Sequence, residues 1–295
     1  MNEFKNYHPI VNFLYFLLVI GFAMFMMHPV SIGITFLCAI LYTFVLKGRK
    51  QGLKSMGIAV FITLITAILN PLFSHSGVTV ITYLPSGNPL TAESCYYGLV
   101  AGVMLSAVLL YFSCSNIVLT SDKFTYLFGR IIPKMAMMFS MILRFIPNLV
   151  TRLKEISAVQ KTLGRDISKG SAIKRIKCGI KILSILITWS LENAIETADS
   201  MKSRGYGLDG RTAYSIFKIE KRDITVLLSM GVLSAVIIWG LVTEKLQYNY
   251  FPVCYTEKLS VLSLCLHMAY FLLCATPVLI EWREAVRWKS IKLKI

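Results

Sequence analysis

Charged residues are scarce in this sequence: they make up 16% of its 295 residues, while 56% are hydrophobic. A soluble domain normally carries more charge and less apolar content than this. The formal net charge is nevertheless +16. In so apolar a chain, that excess indicates a cytoplasmic membrane surface or an acidic partner, and we expect no nucleic acid.

The sequence also lacks the patterns of metal, disulfide and nucleotide sites. It has no C-x-x-C and an odd number of cysteines, seven, so neither a disulfide framework nor a zinc site is expected. The four histidines stand apart without ligand spacing, which predicts no metal site. The P-loop pattern G-x-x-x-x-G-K-S/T is missing, so any ATP must be bound by a partner. We expect no cofactor and, without a small-x-small site after the first apolar run, no cleavable signal peptide.

Six apolar runs are present, each near the roughly 20 residues that a helix needs to cross a bilayer. His28 and Pro29 predict a tight connection between the first two runs. The runs are approximately Val11–Met27, Val30–Leu46, Ser55–Phe73, Cys95–Leu119, Ile224–Val242 and Leu259–Glu281.

Lys and Arg residues in the short loops predict the orientation of these spans. The basic loop Lys47–Lys54 and the basic tail from Trp282 are expected in the cytoplasm. The segment Ser74–Ser94 contains no Lys or Arg and is expected outside. Six spans with both termini in the cytoplasm satisfy these signals and place the chain in a bacterial or archaeal inner membrane.

The central segment has an excess of Lys and Arg together with long apolar stretches. Its pattern predicts one helix from Pro133 to about Leu163, kinked at Pro147, and a second from about Ser171 to Ser203. These helices could be two further spans. Charged residues in the first helix are costly in lipid, however, which favours two long helices along the cytoplasmic face.

The predicted fold class is therefore all-α, a polytopic membrane protein with about six transmembrane helices and two long cytoplasmic helices. We expect an N-terminal membrane domain at 1–119 with four spans, a cytoplasmic segment at 120–223, and a membrane hairpin with a basic tail at 224–295.

The second long helix ends in the sequence Ser203-Arg204-Gly205. A cation on the last turn followed by a glycine stop can present its charge to a partner. Alternatively, Arg204 only complements the helix dipole and Gly205 is an ordinary C-cap.

These residues resemble the EcfT/CbiQ family of energy-coupling-factor (ECF) transporters, whose two coupling helices each end in an x-Arg-x signature. Ser203-Arg204-Gly205 matches the second signature well. Further similarities cover most of the chain: YHP at 7–9, NPLFSHSG at 70–77, GNPLT at 87–91 and MILRFIPNL at 141–149.

The first signature matches only in part, because Thr162-Leu163-Gly164 has leucine where the family has arginine. Arg165 follows two residues later. Either Arg165 takes over through a shift in the helix end, which we favour because Gly164 permits such a stop, or this docking point is degenerate.

The resemblance implies a non-catalytic T component without catalytic residues. It would link two EcfA-type ABC ATPases, as a homodimer or heterodimer, to one small membrane S component for uptake of a vitamin or a transition-metal ion. Both signatures would dock the ATPases. An apolar stripe on the second helix would pack on the S component: Ile182, Ile185, Leu186 and Trp189.

Two other functions stay open at the level of sequence. A polytopic membrane enzyme would need convergent ligands, and only Glu192 and Glu196, one turn apart, suggest any. A conventional pore-forming ABC permease would need polar or broken helices at the membrane midplane, and the predicted spans are nearly free of charge.

Overall fold

The structure is a computed structural model. It consists of α-helices in succession, with one small two-stranded sheet between α2 and α3. The residues it describes are 3–74, 76–83, 89–164, 171–206, 217–243, 246, 248–252 and 260–292. The helices are α1 Pro9–Phe25, α2 Pro29–Phe73, α3 Ala92–Val118, α4 Ser121–Ile131, α5 Pro133–Thr162, α6 Ala172–Ser203, α7 Lys221–Val242 and α8 Val261–Lys292. A short antiparallel pair, β1 Val80–Tyr83 and β2 Pro89–Thr91, precedes α3.

The chain divides into two compact units. The first consists of Met1–Thr120 with Phe217–Ile295, and the second of Ser121–Ile216. The predicted division into an N-terminal membrane domain, a cytoplasmic segment and a C-terminal hairpin, with boundaries after residues 119 and 223, describes functional parts and stays a prediction.

The first unit contains apolar helices of membrane-spanning length. Helix α2 has 45 residues and would measure about 68 Å, too long for one crossing of a hydrocarbon core of about 30 Å. Gly48, at φ 74° and ψ 173°, breaks it into halves at residues 29–47 and 49–73. These halves correspond to the second and third predicted runs.

Five helices of the described residues are long and apolar enough to cross a membrane: α2, α3, α6, α7 and α8. Helix α1 is apolar but has 17 residues. The chain is therefore an all-α polytopic membrane protein, as predicted. The number of spans stays a prediction, because α6 belongs to the segment that we expect at the cytoplasmic face.

The chain start, the α7 start and the late part of α8 meet at one end of the first unit. The backbone N–H of Phe4 donates to Glu281 Oε1 at 3.1 Å, and the N–H of His8 donates to Asp223 Oδ1 at 3.3 Å. These contacts join segments that a bilayer would otherwise allow to lie on either side.

The connections between α1 and α2 and between α7 and α8 meet at another end of this unit. Tyr250 donates its hydroxyl to the Met27 carbonyl, and His28 Nδ1 lies 3.3 Å from His267 Nε2. The expectation that the histidines stand apart is wrong for these two, because the N-cap of α2 meets the early part of α8 here. Within the described residues, no three His, Cys, Asp or Glu are grouped to hold a metal.

Two of the buried tyrosines in the core of the first unit, Tyr15 and Tyr270, have hydrogen-bond partners for their hydroxyls. Tyr15 donates to the Cys274 carbonyl at 2.9 Å, and the Tyr270 hydroxyl lies 2.7 Å from Thr35 Oγ1. Such pairing matters in a membrane protein, because lipid offers no hydrogen bonds.

Glycines let α3 approach the second half of α2 closely. A Cβ added at Gly102 would lie 2.8 Å from the Thr63 carbonyl oxygen, and one at Gly98 would lie 2.9 Å from Asn70 Cβ. Small residues at such crossings are a general device of helix packing in membranes.

Candidate functional site

The long helices of the second unit are α5 and α6, and the sequence predicts both well. Helix α5 begins at Pro133 and ends at Thr162, and α6 covers Ala172–Ser203. Pro147 lies inside α5 without ending it. The two helices pack on each other, and at this contact the rings of Phe145 and Trp189 stack with centroids 6.1 Å apart.

Helix α6 ends in a glycine stop that fixes the position of Arg204. Arg204 is the C-cap at φ −85° and ψ 7°, and Gly205 follows at φ 73°. The Gly205 N–H donates to the Lys202 carbonyl at 3.0 Å, and the Tyr206 N–H to the Met201 carbonyl at 3.1 Å. These two backbone hydrogen bonds together form the Schellman motif, in which glycine tolerates the positive φ. Arg204 is exposed at the end of the helix.

Helix α5 ends in the same local conformation. Leu163 is its C-cap at φ −82° and ψ 13°, and Gly164 follows at φ 74°. The Gly164 N–H donates to the Lys161 carbonyl at 3.1 Å. Leu163 therefore occupies the position that Arg204 has on α6, and the helix has ended by Gly164. Arg165 lies outside the described residues.

The hydroxyl side chains of the two signatures form equivalent hydrogen bonds. Thr162 Oγ1 donates to the Val159 carbonyl at 2.7 Å, and Ser203 Oγ donates to the Ser200 carbonyl at 2.8 Å. Both hydroxyls thus bond to the carbonyl three residues earlier. The two helix ends share their backbone form and this side-chain bond, and they differ at the C-cap residue.

The four residues predicted to pack on a partner lie on the side of α6 that carries Trp189. Ile182 is 2% exposed, Leu186 and Trp189 are half-buried, and Ile185 is exposed. The Arg152 guanidinium lies 5.1 Å above the Trp189 ring and forms an ion pair with Glu155 at 2.8 Å. Trp189 therefore already has contacts within this unit.

A second apolar stripe, which is not among the predicted packing residues, runs along the opposite side of α6. Ile180 and Trp189 are nine residues apart, which places them about 180° apart around a helix. The stripe repeats every three or four residues, and its side chains are 51–68% exposed. This exposed stripe consists of Ile173, Ile176, Ile180, Leu183, Ile187, Leu191 and Ile195.

The acidic pair of α6 has no catalytic setting in the described residues. Glu192 and Glu196 are both exposed, on a helix surface. An exposed carboxylate pair one turn apart is common on solvated helix faces.

Comparison with known proteins gives consistent matches. The family model CbiQ, described as "Cobalt transport protein", matches residues 1–214. The chain is 27% identical over 229 residues to the "Energy-coupling factor transporter transmembrane protein EcfT" of Bacillus subtilis, which covers 71% of this chain and 80% of that protein. It is 34% identical over 189 residues to the EcfT of Bacillus selenitireducens, covering 59% and 68%. It is 30% identical over 205 residues to the EcfT 1 of Listeria monocytogenes, covering 64% and 74%.

Proposed function

The chain belongs to the CbiQ family, and we propose that it couples two cytoplasmic ATPases to a substrate-binding S component in an ECF importer. The observation that carries this proposal is the pair of matching helix ends, in which two long helices of one unit stop at an exposed C-cap residue followed by glycine. Each end offers one side chain, at a fixed position, to a partner.

In this mechanism, Arg204 of the Ser203-Arg204-Gly205 signature docks in a groove of one ATPase. A carboxylate there would accept a bidentate charge-assisted hydrogen bond from the guanidinium. The end of α5, with Thr162, Leu163, Gly164 and Arg165, docks on the other ATPase. When ATP closes the ATPase pair, the two ends move, and helices of about 45 and 48 Å carry the movement towards the membrane.

The S component would pack on apolar surface of the coupling helices. The exposed stripe of α6 supports this step best, because its side chains are at least half exposed, whereas Ile182 is buried. Ile185, Leu186 and Trp189 would back this surface from the other side of the helix. The S component selects the substrate, a vitamin or a transition-metal ion such as the cobalt in the family's description.

Co-purification tests this function. The tagged chain, extracted in mild detergent, should bring down an ABC ATPase and one small membrane protein. Arg204→Ala should lose much of the ATPase and retain the small membrane protein, since the two are bound at different places. Substrate uptake should fall with the ATPase. Wild-type assembly and uptake by Arg204→Ala would refute the docking role.

We propose further that both termini lie in the cytoplasm. The contacts of Phe4 with Glu281 and of His8 with Asp223 support this, because they hold the chain start beside late residues of the membrane unit. Single cysteines at Lys50 and Lys289, in a background without native cysteines, should react with an impermeant reagent only after the membrane is opened. Labelling from outside at either position would contradict this topology.

A further inference from the structure

The charges of α6 are unevenly distributed along its length. Residues 172–181, which we call the basic end, contain no acidic residue and four basic ones: Lys174, Arg175, Lys177 and Lys181. The segment 182–191 has no charged residue, whereas 192–203 carries three acidic residues and one basic residue. The helix therefore has a basic end, an uncharged middle and an acidic end.

The charged side of α6 reverses its sign along the helix. Lys174 and Glu192 are 18 residues apart, which is about five full turns, so they project from the same side. The same spacing separates Lys181 from Asp199, and all four side chains are exposed. An anionic surface along this side would therefore attract one end of the helix and repel the other.

The three lysines of the basic end repel one another. Lys174 and Lys177 are three residues apart, and Lys177 and Lys181 are four apart, so each pair is adjacent on the helix surface. Lys174 also lies in the first turn, where the helix dipole disfavours a cation. Among the described residues, none forms an ion pair with these lysines. Anions bound from outside the chain would relieve this repulsion.

The lysines border the exposed stripe of α6. At the basic end this stripe consists of three isoleucines that are 61–68% exposed, Ile173, Ile176 and Ile180. Lys177 and Lys181 each follow one of these isoleucines directly, about 100° further around the helix. This arrangement suits the boundary between the acyl chains and the headgroups of a bilayer. A lysine stem can lie on the apolar layer there while its ammonium group reaches the phosphates.

We propose that the basic end of α6 lies on the cytoplasmic leaflet and binds its anionic phospholipid headgroups. The three lysines contact the phosphates, and the three isoleucines insert beneath them. This rests on the proposed function, in which the second unit meets cytoplasmic ATPases. The bilayer fits this end because it offers a negative surface directly above an apolar layer. The acidic end is repelled from the same surface, which leaves the stripe beyond residue 181 to the S component.

Fluorescence quenching in lipid nanodiscs tests this contact. A fluorophore is attached to Ile173→Cys or to Leu191→Cys, which lie 18 residues apart on the same side of α6, in a full chain without its native cysteines. The discs carry a nitroxide quencher on lipid headgroups and contain phosphatidylcholine with or without phosphatidylglycerol. Quenching at position 173 should be at least about twofold greater in the anionic discs, since each lysine near an anionic surface strengthens the attraction about fivefold. Quenching at position 191 should not rise.

Two variants separate charge from apolar contact. Replacement of the three lysines by glutamine should abolish the difference between the two kinds of disc, whereas replacement by arginine should retain it. Salt at about 1 M, where the screening length is about 3 Å, should also abolish the difference. Persistence of the difference in the glutamine variant would contradict the role of the lysines.

Other outcomes distinguish the alternatives. Equal quenching at position 173 in both kinds of disc, or an equal rise at positions 173 and 191, would overturn the inference. The measurement is repeated on the complex with its co-purified partners. Shielding of position 173 that appears only with these partners, and does not depend on lipid charge, would assign the basic end to an acidic protein surface and also overturn the inference.

The proposed function is tested separately, by retention of the ATPase in detergent. There the glutamine variant should retain as much ATPase as the unmodified chain, because the lysines lie about 35–45 Å along the helix from Arg204. Absence of ATPase from the unmodified chain would refute the proposed function, whatever the quenching shows.

Discussion

The two units of this chain use apolar side chains in different ways. The first unit buries four tyrosines almost completely, and its helices carry apolar residues on nearly all sides. The second unit buries one residue of α6, Ile182, and leaves a long apolar stripe exposed. Exposed Lys174 and Glu192 lie on the same helix as that stripe.

The difference indicates what covers each surface. A helix that is apolar all round suits a lipid environment, which has no preferred direction. A helix that carries an apolar stripe beside charged residues needs an apolar neighbour along the stripe and a polar environment on its other side. In the first unit, packing therefore serves the fold, whereas for the second unit we propose that a large part of the apolar surface serves assembly. The following variants separate these two roles.

The largest effect is expected in the first unit. Gly102→Leu forces a side chain against the Thr63 backbone, where even a Cβ would lie 2.8 Å from the carbonyl oxygen. Overpacking of this kind destabilises a protein by about 1–3 kcal/mol. A clash with backbone atoms, as here, should cost an amount near the upper end of this range. Thermal unfolding and size-exclusion chromatography in detergent should show a destabilised or aggregated protein. Gly57→Leu is the control, because open space surrounds Gly57; equal stability of the two variants would contradict the close α2–α3 approach.

Next in size is a loss of binding without loss of fold, at the end of α6. Arg204→Ala would remove the charge-assisted hydrogen bond that we propose with the ATPase, and such a bond is typically worth about 1.5–3 kcal/mol. Arg204→Lys should lose less, since it keeps the charge but not the planar fork. ATPase retention is measured on immobilised protein, with Lys202→Ala as the control from the same turn. Equal retention by the alanine and lysine variants would argue against bidentate recognition.

A smaller effect is expected for Trp189→Ala. It should leave membrane levels normal and weaken S-component capture by about 1–2 kcal/mol, because α6 would lose part of its packing against α5 behind the exposed stripe. Its contacts with Phe145 and Arg152 suggest that it acts by holding α5 against α6. Loss of the protein itself would instead assign Trp189 to folding.

The smallest effect is expected for Ile187→Ala, on the exposed stripe. Under the proposed function, it would remove part of one apolar contact with the S component and should weaken capture by about 1 kcal/mol or less. Because Ile187 is exposed, the substitution should not change the free energy of unfolding of the protein. Unchanged capture by Ile187→Ala together with Leu183→Ala would move the S-component surface elsewhere.

Much of the second unit was predictable from local signals. Pro133 starts α5, and Gly164 and Gly205 end the long helices, because these residues act through their own φ angles. The exposed side of α6 was not predictable in this way. Its sequence contains two apolar stripes, and periodicity alone does not say which one meets a neighbouring helix.

The same limit applies in the first unit. The contact of His28 with His267 depends on how the N-cap of α2 and the early part of α8, 239 residues apart in the chain, come together. No spacing within the sequence encodes such a contact. The partial first signature, by contrast, was visible as Leu163 in the sequence, and the structure adds that its backbone matches that of Arg204.

The glycine stops have a mechanical consequence. Arg204 and Leu163 are the C-caps of two long helices, so no linker separates either helix from the side chain that we propose for docking. A displacement of such a residue moves the helix directly, because no flexible segment lies between them. The same displacement is therefore transmitted to the other end of the helix. Replacing Gly205 by a residue with a Cβ disfavours the positive φ and would fray the last turn. Under the proposed function, such a variant should still bind the ATPase, but the frayed turn should bend and so transmit less of the movement to α6.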